Sequence, residues 1–130
     1  MLIYKYSIMK LLLIKNMNYE KTDLDLDIDH TCHIKNSTNS SIKFINKFNK
    51  IIIENSESIY IEIYKIITSI EINNCNNIFI KINNIIENIP LLPCIEIYKS
   101  SVYVIGNINL YKETLIISEC SNLTHLELVK

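Results

Sequence analysis

One spacing recurs through the second half of the chain: apolar, two residues, apolar, one residue, apolar, two residues, then Cys or a small polar residue. It runs Ile67, Ile70, Ile72, Cys75, Ile78, then Leu92, Ile95, Ile97, Ser100, Tyr103, then Lys112, Leu115, Ile117, Cys120, Leu123. A pattern that returns after roughly 20 to 25 residues is the mark of stacked structural units, none of which buries its own apolar face without a neighbour. The spacing therefore predicts a solenoid, and solenoids present extended binding surfaces more often than catalytic pockets.

Composition sets the bounds within which that repeat must work. At 130 residues the chain holds one domain with a continuous core, and 48% hydrophobic against 21% charged residues excludes global disorder. Ile and Asn dominate, Ala, Arg, Gln and Trp are absent, and Gly106 is the one glycine. Such usage matches an AT-rich genome, so the abundance of Ile and Asn is read as mutational bias rather than as choice at each position. Its physical effect is still real, because Ile raises strand propensity and no Ala favours helix.

The formal net charge is -1, and every fixed positive side chain is a dispersed Lys. Without an Arg fork or a basic cluster, nucleic acid has no obvious binder here. No apolar run reaches the roughly 18 residues of a membrane span. The opening segment has a short apolar stretch from Met9 to Ile14 interrupted by Lys10, which makes a defective signal peptide, and Met9 and Met17 offer alternative starts to Met1. The four cysteines lack the paired spacings of a zinc site, and Cys75 and Cys120 share one repeat position, so free thiols in a reducing compartment are expected.

Along the chain, residues 1–41 read as an irregular leader and residues 42–130 as the solenoid. Within the leader, Thr22 to His30 alternates strictly, with Asp23, Asp25, Asp27 and Asp29 on one face and Leu24, Leu26 and Ile28 on the other. Lys35 to Ser41 is polar and turn-forming, and is expected as a linker. From Ile42 to Ile53 the apolar spacing fits a helical face at least as well as a strand, whereas Ser58 to Tyr64 alternates with Ile59, Ile61 and Ile63 on one side. Each repeat is expected to supply one short parallel strand, centred on Ile70 to Ile72, Ile95 to Ile97 and Leu115 to Ile117, with Asn122 to Leu128 a candidate fourth. No polar cap follows Leu128, which is expected either of a fragment of a longer array, truncated at the C-terminus, or of an end covered by another chain through self-association.

The segments ITSIEINNCNNI, LPCIEIYKSSVY and KETLIISECSNLTHLEL resemble the leucine-rich repeat, with Ile in place of Leu, over about Ile66 to Lys130. With the IPLLP linker and the AT-biased composition, the chain resembles the leucine-rich-repeat gene family of insect-infecting poxviruses. The resemblance implies a β-rich α/β solenoid of short parallel strands that recognises protein through its strand-bearing face. A viral member would act in the host cytoplasm.

Strand alternation turns the residues between the inward apolar positions outward. These are Glu71, Glu96, Ile116 and Glu127, with Asn73, Tyr98 and Ser118 two positions along. Stacked glutamates would repel one another, and a basic protein partner would relieve that repulsion. The run from Asp23 to His33 holds metal-ligand residue types, His30, Cys32 and His33 among them, without ligand spacing, so no metal site is expected. No motif for catalysis or for a cofactor is present, and a non-enzymatic protein-interaction module is the expected function. The competing readings are a self-associating β-rich structural protein and a decaying frame without selected function.

Overall fold

The computed structural model describes residues 2–6, 10–83, 94–106 and 115–118. Ten strands are described: β1 (Leu2–Tyr6), β2 (Leu11–Lys15), β3 (Lys21–Leu24), β4 (Thr31–Lys35), β5 (Thr38–Glu54), β6 (Glu57–Asn73), β7 (Asn76–Ile82), β8 (Cys94–Tyr98), β9 (Val102–Gly106) and β10 (Leu115–Ser118). They pair in two parallel ladders. The first runs β2, β4, the second half of β5, the second half of β6, β8 and β10, with β1 added antiparallel on the outer edge of β2. The second runs β3, the first half of β5, the first half of β6, β7 and β9. Each coil thus contributes a strand to both ladders, and β5 passes from one to the other through register shifts between Phe44 and Lys50.

The core is a set of stacked rows. Cys32, Ile51, Ile70 and Ile95 form one, Ile34, Ile53, Ile72 and Ile97 a second, and Ile42, Ile61, Ile80 and Val104 a third. All twelve are buried. A β-branched side chain suits this arrangement, because its restricted χ1 costs little in a strand and its methyl groups pack against the identical residue one coil away. Phe44 and Phe48 fill the wider space at the bend of β5, stacked with ring centroids 4.4 Å apart.

The corner between the ladders is built the same way in each coil. Asn16, Asn36, Asn55, Asn74 and Lys99 lie at positive φ, and Tyr19, Asn39, Ser58 and Asn77 do so again three residues later in four of the coils. Asn tolerates this left-handed conformation better than any other residue except Gly. Between them sits a buried polar ladder. Ser37 Oγ accepts the amide of Met17 at 3.1 Å, Ser56 Oγ accepts that of Ser37 at 3.1 Å, and Ser100 Oγ accepts that of Cys75 at 3.0 Å. Each hydroxyl in turn donates to the carbonyl two residues before it. Cys75 occupies the same rung, its thiol facing the Ser56 amide and the carbonyls of Ile53 and Asn73.

These observations correct several expectations. The described residues contain strands and no helix, so the fold is an all-β helix rather than an α/β leucine-rich-repeat solenoid, which has one strand per unit. The stretch from Ile42 to Ile53 is strand throughout, because Ile42 and Phe44 pair with Ile61 and Ile63 and the row would be lost on a helix. Lys35 to Ser41 is a corner and the start of β5, not a linker. The inward residue before the third coil's second strand is Ile66, while Ile67 is 42% exposed. The alternation from Thr22 ends at the buried Leu26, since a turn at Ile28–Asp29 turns Ile28 outward. Residues 10–41 supply β2, β3, β4 and the start of β5 to the same two ladders. Asn122 to Leu128, Cys120, His125, Lys112 and the IPLLP segment lie outside the described residues.

Candidate functional site

The outer face of the first ladder carries the residues that the sequence singles out. Glu71 pairs in register with Glu96, and Glu96 with Ile116; Asn73 pairs with Tyr98, and Tyr98 with Ser118. Six of the seven candidates therefore form two adjacent rows across β6, β8 and β10. Glu127 lies outside the described residues, and for Ile116 and Ser118 only the backbone position is described.

The rows continue upward with different chemistry. Above Glu71 stand Ile52, His33 and Leu13, and above Asn73 stand Glu54, Lys35 and Lys15. The acidic stripe is confined to the lower coils. Glu71 is neutralised by an ion pair with Lys50 and accepts the Ser69 hydroxyl at 3.1 Å, whereas Glu96 has no ion pair among the described residues and lies 3.8 Å from the Cys94 sulfur. Burial, then the Glu96 charge, raises the Cys94 thiol above its ordinary value. Higher up, Glu54 faces His33 at 3.3 Å and Lys35 at 3.8 Å.

The ligand-type residues between Asp23 and His33 do not converge on one point. Cys32 is fully buried in the core and His33 is on the outer face, as neighbours on a strand must be. Asp27, Asp29 and His30 do offer polar atoms within 4.8 Å of one another. The His30 Nδ1 already accepts the Asp27 amide at 3.0 Å, and Asp29 pairs with Lys10 at 3.1 Å, a hydrogen bond that holds its carboxyl below the usual range. The His30 Nδ1 and the Asp29 carboxylate thus serve to hold the turn, while the His30 Nε2 is buried without a hydrogen-bond partner among the described residues. Sequence reasoning missed a second surface beside it, an open groove at the bend of the coils lined by Asp25 to Asp29, Asn46, Lys47 and Tyr64. Its signal was present in the Asp run but needed the fold to bring Lys47 and Tyr64 alongside.

The architecture defines a parallel β-helix with two strands per coil and polar corner ladders. The family described as adenylate cyclase associated (CAP) C terminal matches residues 7–124, and the chain belongs to that family. Among solved structures, the cyclase-associated protein from Cryptosporidium parvum is similar over 92% of this chain and 70% of that one, with 26% identity and a TM-score of 0.74. No curated protein matches the chain. The family match overturns the leucine-rich-repeat resemblance and with it the poxvirus assignment, which rested on apolar spacing that a β-helix produces equally well.

Proposed function

We propose that this chain is a non-enzymatic protein-binding module and that its partner is monomeric actin, engaged through the outer face of the first ladder. The observation that carries the reading is the family match over residues 7–124, since in cyclase-associated proteins the C-terminal domain binds actin monomers. The face is chosen on geometry: Glu71, Asn73, Glu96 and Tyr98 form a flat patch on strands in strict register, and Glu96 holds an uncompensated charge for a basic group of the partner. We place the protein in the cytoplasm, a reading supported by the family and by the unpaired thiols of Cys32, Cys75 and Cys94.

The test is fluorescence anisotropy with labelled actin monomers and three proteins: the full chain, Glu96→Lys, and Glu71→Lys/Glu96→Lys. Binding by the full chain, weakened about tenfold in Glu96→Lys and further in the double variant, is expected, a loss of about 1.4 kcal/mol for the first step. Glu96→Lys leaves the Lys50–Glu71 pair intact, so a loss there is not a folding defect. Unchanged affinity in both variants would move the interface to another face, and no binding by the full chain would remove actin as the partner.

A further inference from the structure

The groove at the bend of the coils is a surface independent of the first ladder's face. Its volume is about 590 Å³, and it crosses the edges of three coils, from Asp25–Asp29 through Lys47 to Tyr64. Two inter-strand steps of about 4.8 Å separate its ends, a span that suits an extended segment. Two large side chains stand exposed in its otherwise largely polar and charged lining: Ile28 is 62% exposed and Tyr64 is 50% exposed.

The exposure of Ile28 is enforced. By alternation Ile28 belongs with Leu24 and Leu26, yet the turn at Ile28–Asp29 directs it outward. His30 holds that turn from within. It is 3% exposed, its Nδ1 accepts the Asp27 amide at 3.0 Å, its own amide donates to the Asp27 carbonyl at 3.1 Å, and its carbonyl accepts the Asn49 amide at 3.0 Å. A buried imidazole thus holds the turn that keeps an isoleucine in water, in the same groove as an exposed tyrosine.

The charge around this apolar strip is unbalanced. Lys10 is taken up by Asp29 at 3.1 Å, while Asp25 accepts from the Asn46 amide and has no ion pair among the described residues, and Asp27, its side chain 74% exposed, lies 3.9 Å from the His30 ring. Lys47 is the remaining cation of the lining. Asp25 and Asp27 in the same lining as the exposed Ile28 and Tyr64 complement a lysine or arginine next to an apolar residue.

We infer that this groove docks an extended, cationic segment of a protein partner, with an apolar side chain against Ile28 and Tyr64 and its flanking cations on Asp25 and Asp27. The probe is the peptide acetyl-Lys-Leu-Arg-Leu-Lys-amide, titrated into ¹⁵N-labelled full chain and followed by amide shifts, with acetyl-Glu-Leu-Glu-Leu-Glu-amide beside it. Saturable shifts at Asp25 to His30, Lys47 and Tyr64 with the basic peptide alone are expected. Affinity should fall at least fivefold in Asp25→Asn/Asp27→Asn and in Ile28→Ser, an exposed position whose change leaves the core intact. Glu71→Lys/Glu96→Lys should bind as the full chain does, so this result is separable from the fate of the actin reading. Shifts centred elsewhere, equal response to the acidic peptide, unchanged affinity in both groove variants, or no binding at millimolar peptide would each overturn the inference.

Discussion

Cys75 stands where Ser37, Ser56 and Ser100 stand in neighbouring coils, and it does a serine's work with a weaker donor. Its thiol faces the Ser56 amide and lies 3.5 Å from the Ile53 carbonyl and 3.3 Å from that of Asn73. Burial, partly offset by backbone hydrogen bonds, that of Ser56 foremost, raises it from 9.0 to about 11. A folded-state value above the unfolded one means stability is fully present below about pH 9 and is lost as pH rises through about 11. Cys75→Ser should therefore fold with stability within about 1 kcal/mol of the parent at pH 7, because the rung keeps its hydrogen bonds. It should also lose less stability than the parent between pH 9 and 11, as urea midpoints across that range will read; Cys32, also raised by burial, retains its own share. Equal alkaline loss in both proteins would remove Cys75 as the source. The corner asparagines carry the opposite lesson. Asn36, Asn55 and Asn74 recur at intervals of 19 residues, each at positive φ, but in a chain where Asn is this abundant base composition hides the recurrence. Their period, followed each time by Ser or Cys, was the one sign that the repeat extends upstream of Ile66.

At the scale of strands, the outward face of the second ladder is held by aromatic stacking. Tyr60, Phe79 and Tyr103 occupy one register position on β6, β7 and β9, with centroids 5.1 and 4.7 Å apart and planes within 13° and 10°. Each such pair contributes about 0.5–1.5 kcal/mol beyond buried area. Phe79 takes part in two pairs and Tyr60 in one of them, so Phe79→Ala is expected to cost about 2–4 kcal/mol and Tyr60→Ala about 1 kcal/mol less. Urea unfolding at constant m-value reads both, and equal costs would show that the rings act singly. The three strand centres Ile70 to Ile72, Ile95 to Ile97 and Leu115 to Ile117 were legible in the sequence with their mutual register, because a repeated inward pair leaves one alignment that buries every apolar residue. The second strand of each coil was not assigned to the repeat, since its alternation in Ser58 to Tyr64 is also what a simple antiparallel sheet produces. Of the candidate site, the Glu71–Glu96 juxtaposition was readable from spacing. The groove was not, because Asp27, Lys47 and Tyr64 meet only through the stacking of three coils.

For the whole molecule, parallel stacking makes stability a sum over adjacent coils and puts the vulnerability at the ends. The upper end of the first ladder is closed by β1, which runs antiparallel to β2 with Leu2 opposite Lys15 and Tyr6 opposite Leu11. Reversing direction there matters: it places a strand on the backbone donors and acceptors of β2 that would otherwise template another parallel coil. The upper strand of the second ladder, β3, presents Lys21 and Asp23 outward instead, and like the rest of its acidic run these charges discourage edge pairing. Deleting residues 1–9 should therefore leave the two ladders formed but open one edge. The expected result is a melting temperature lower by about 5 °C, from the loss of the backbone pairing between β1 and β2. Association measured by sedimentation should rise with concentration more steeply than for the full chain, because an uncovered strand edge pairs with its like. If the shortened chain melts and sediments as the parent does, β1 is an appendage rather than a cap, and the edge charges of Lys10 and Lys15 alone keep β2 from pairing.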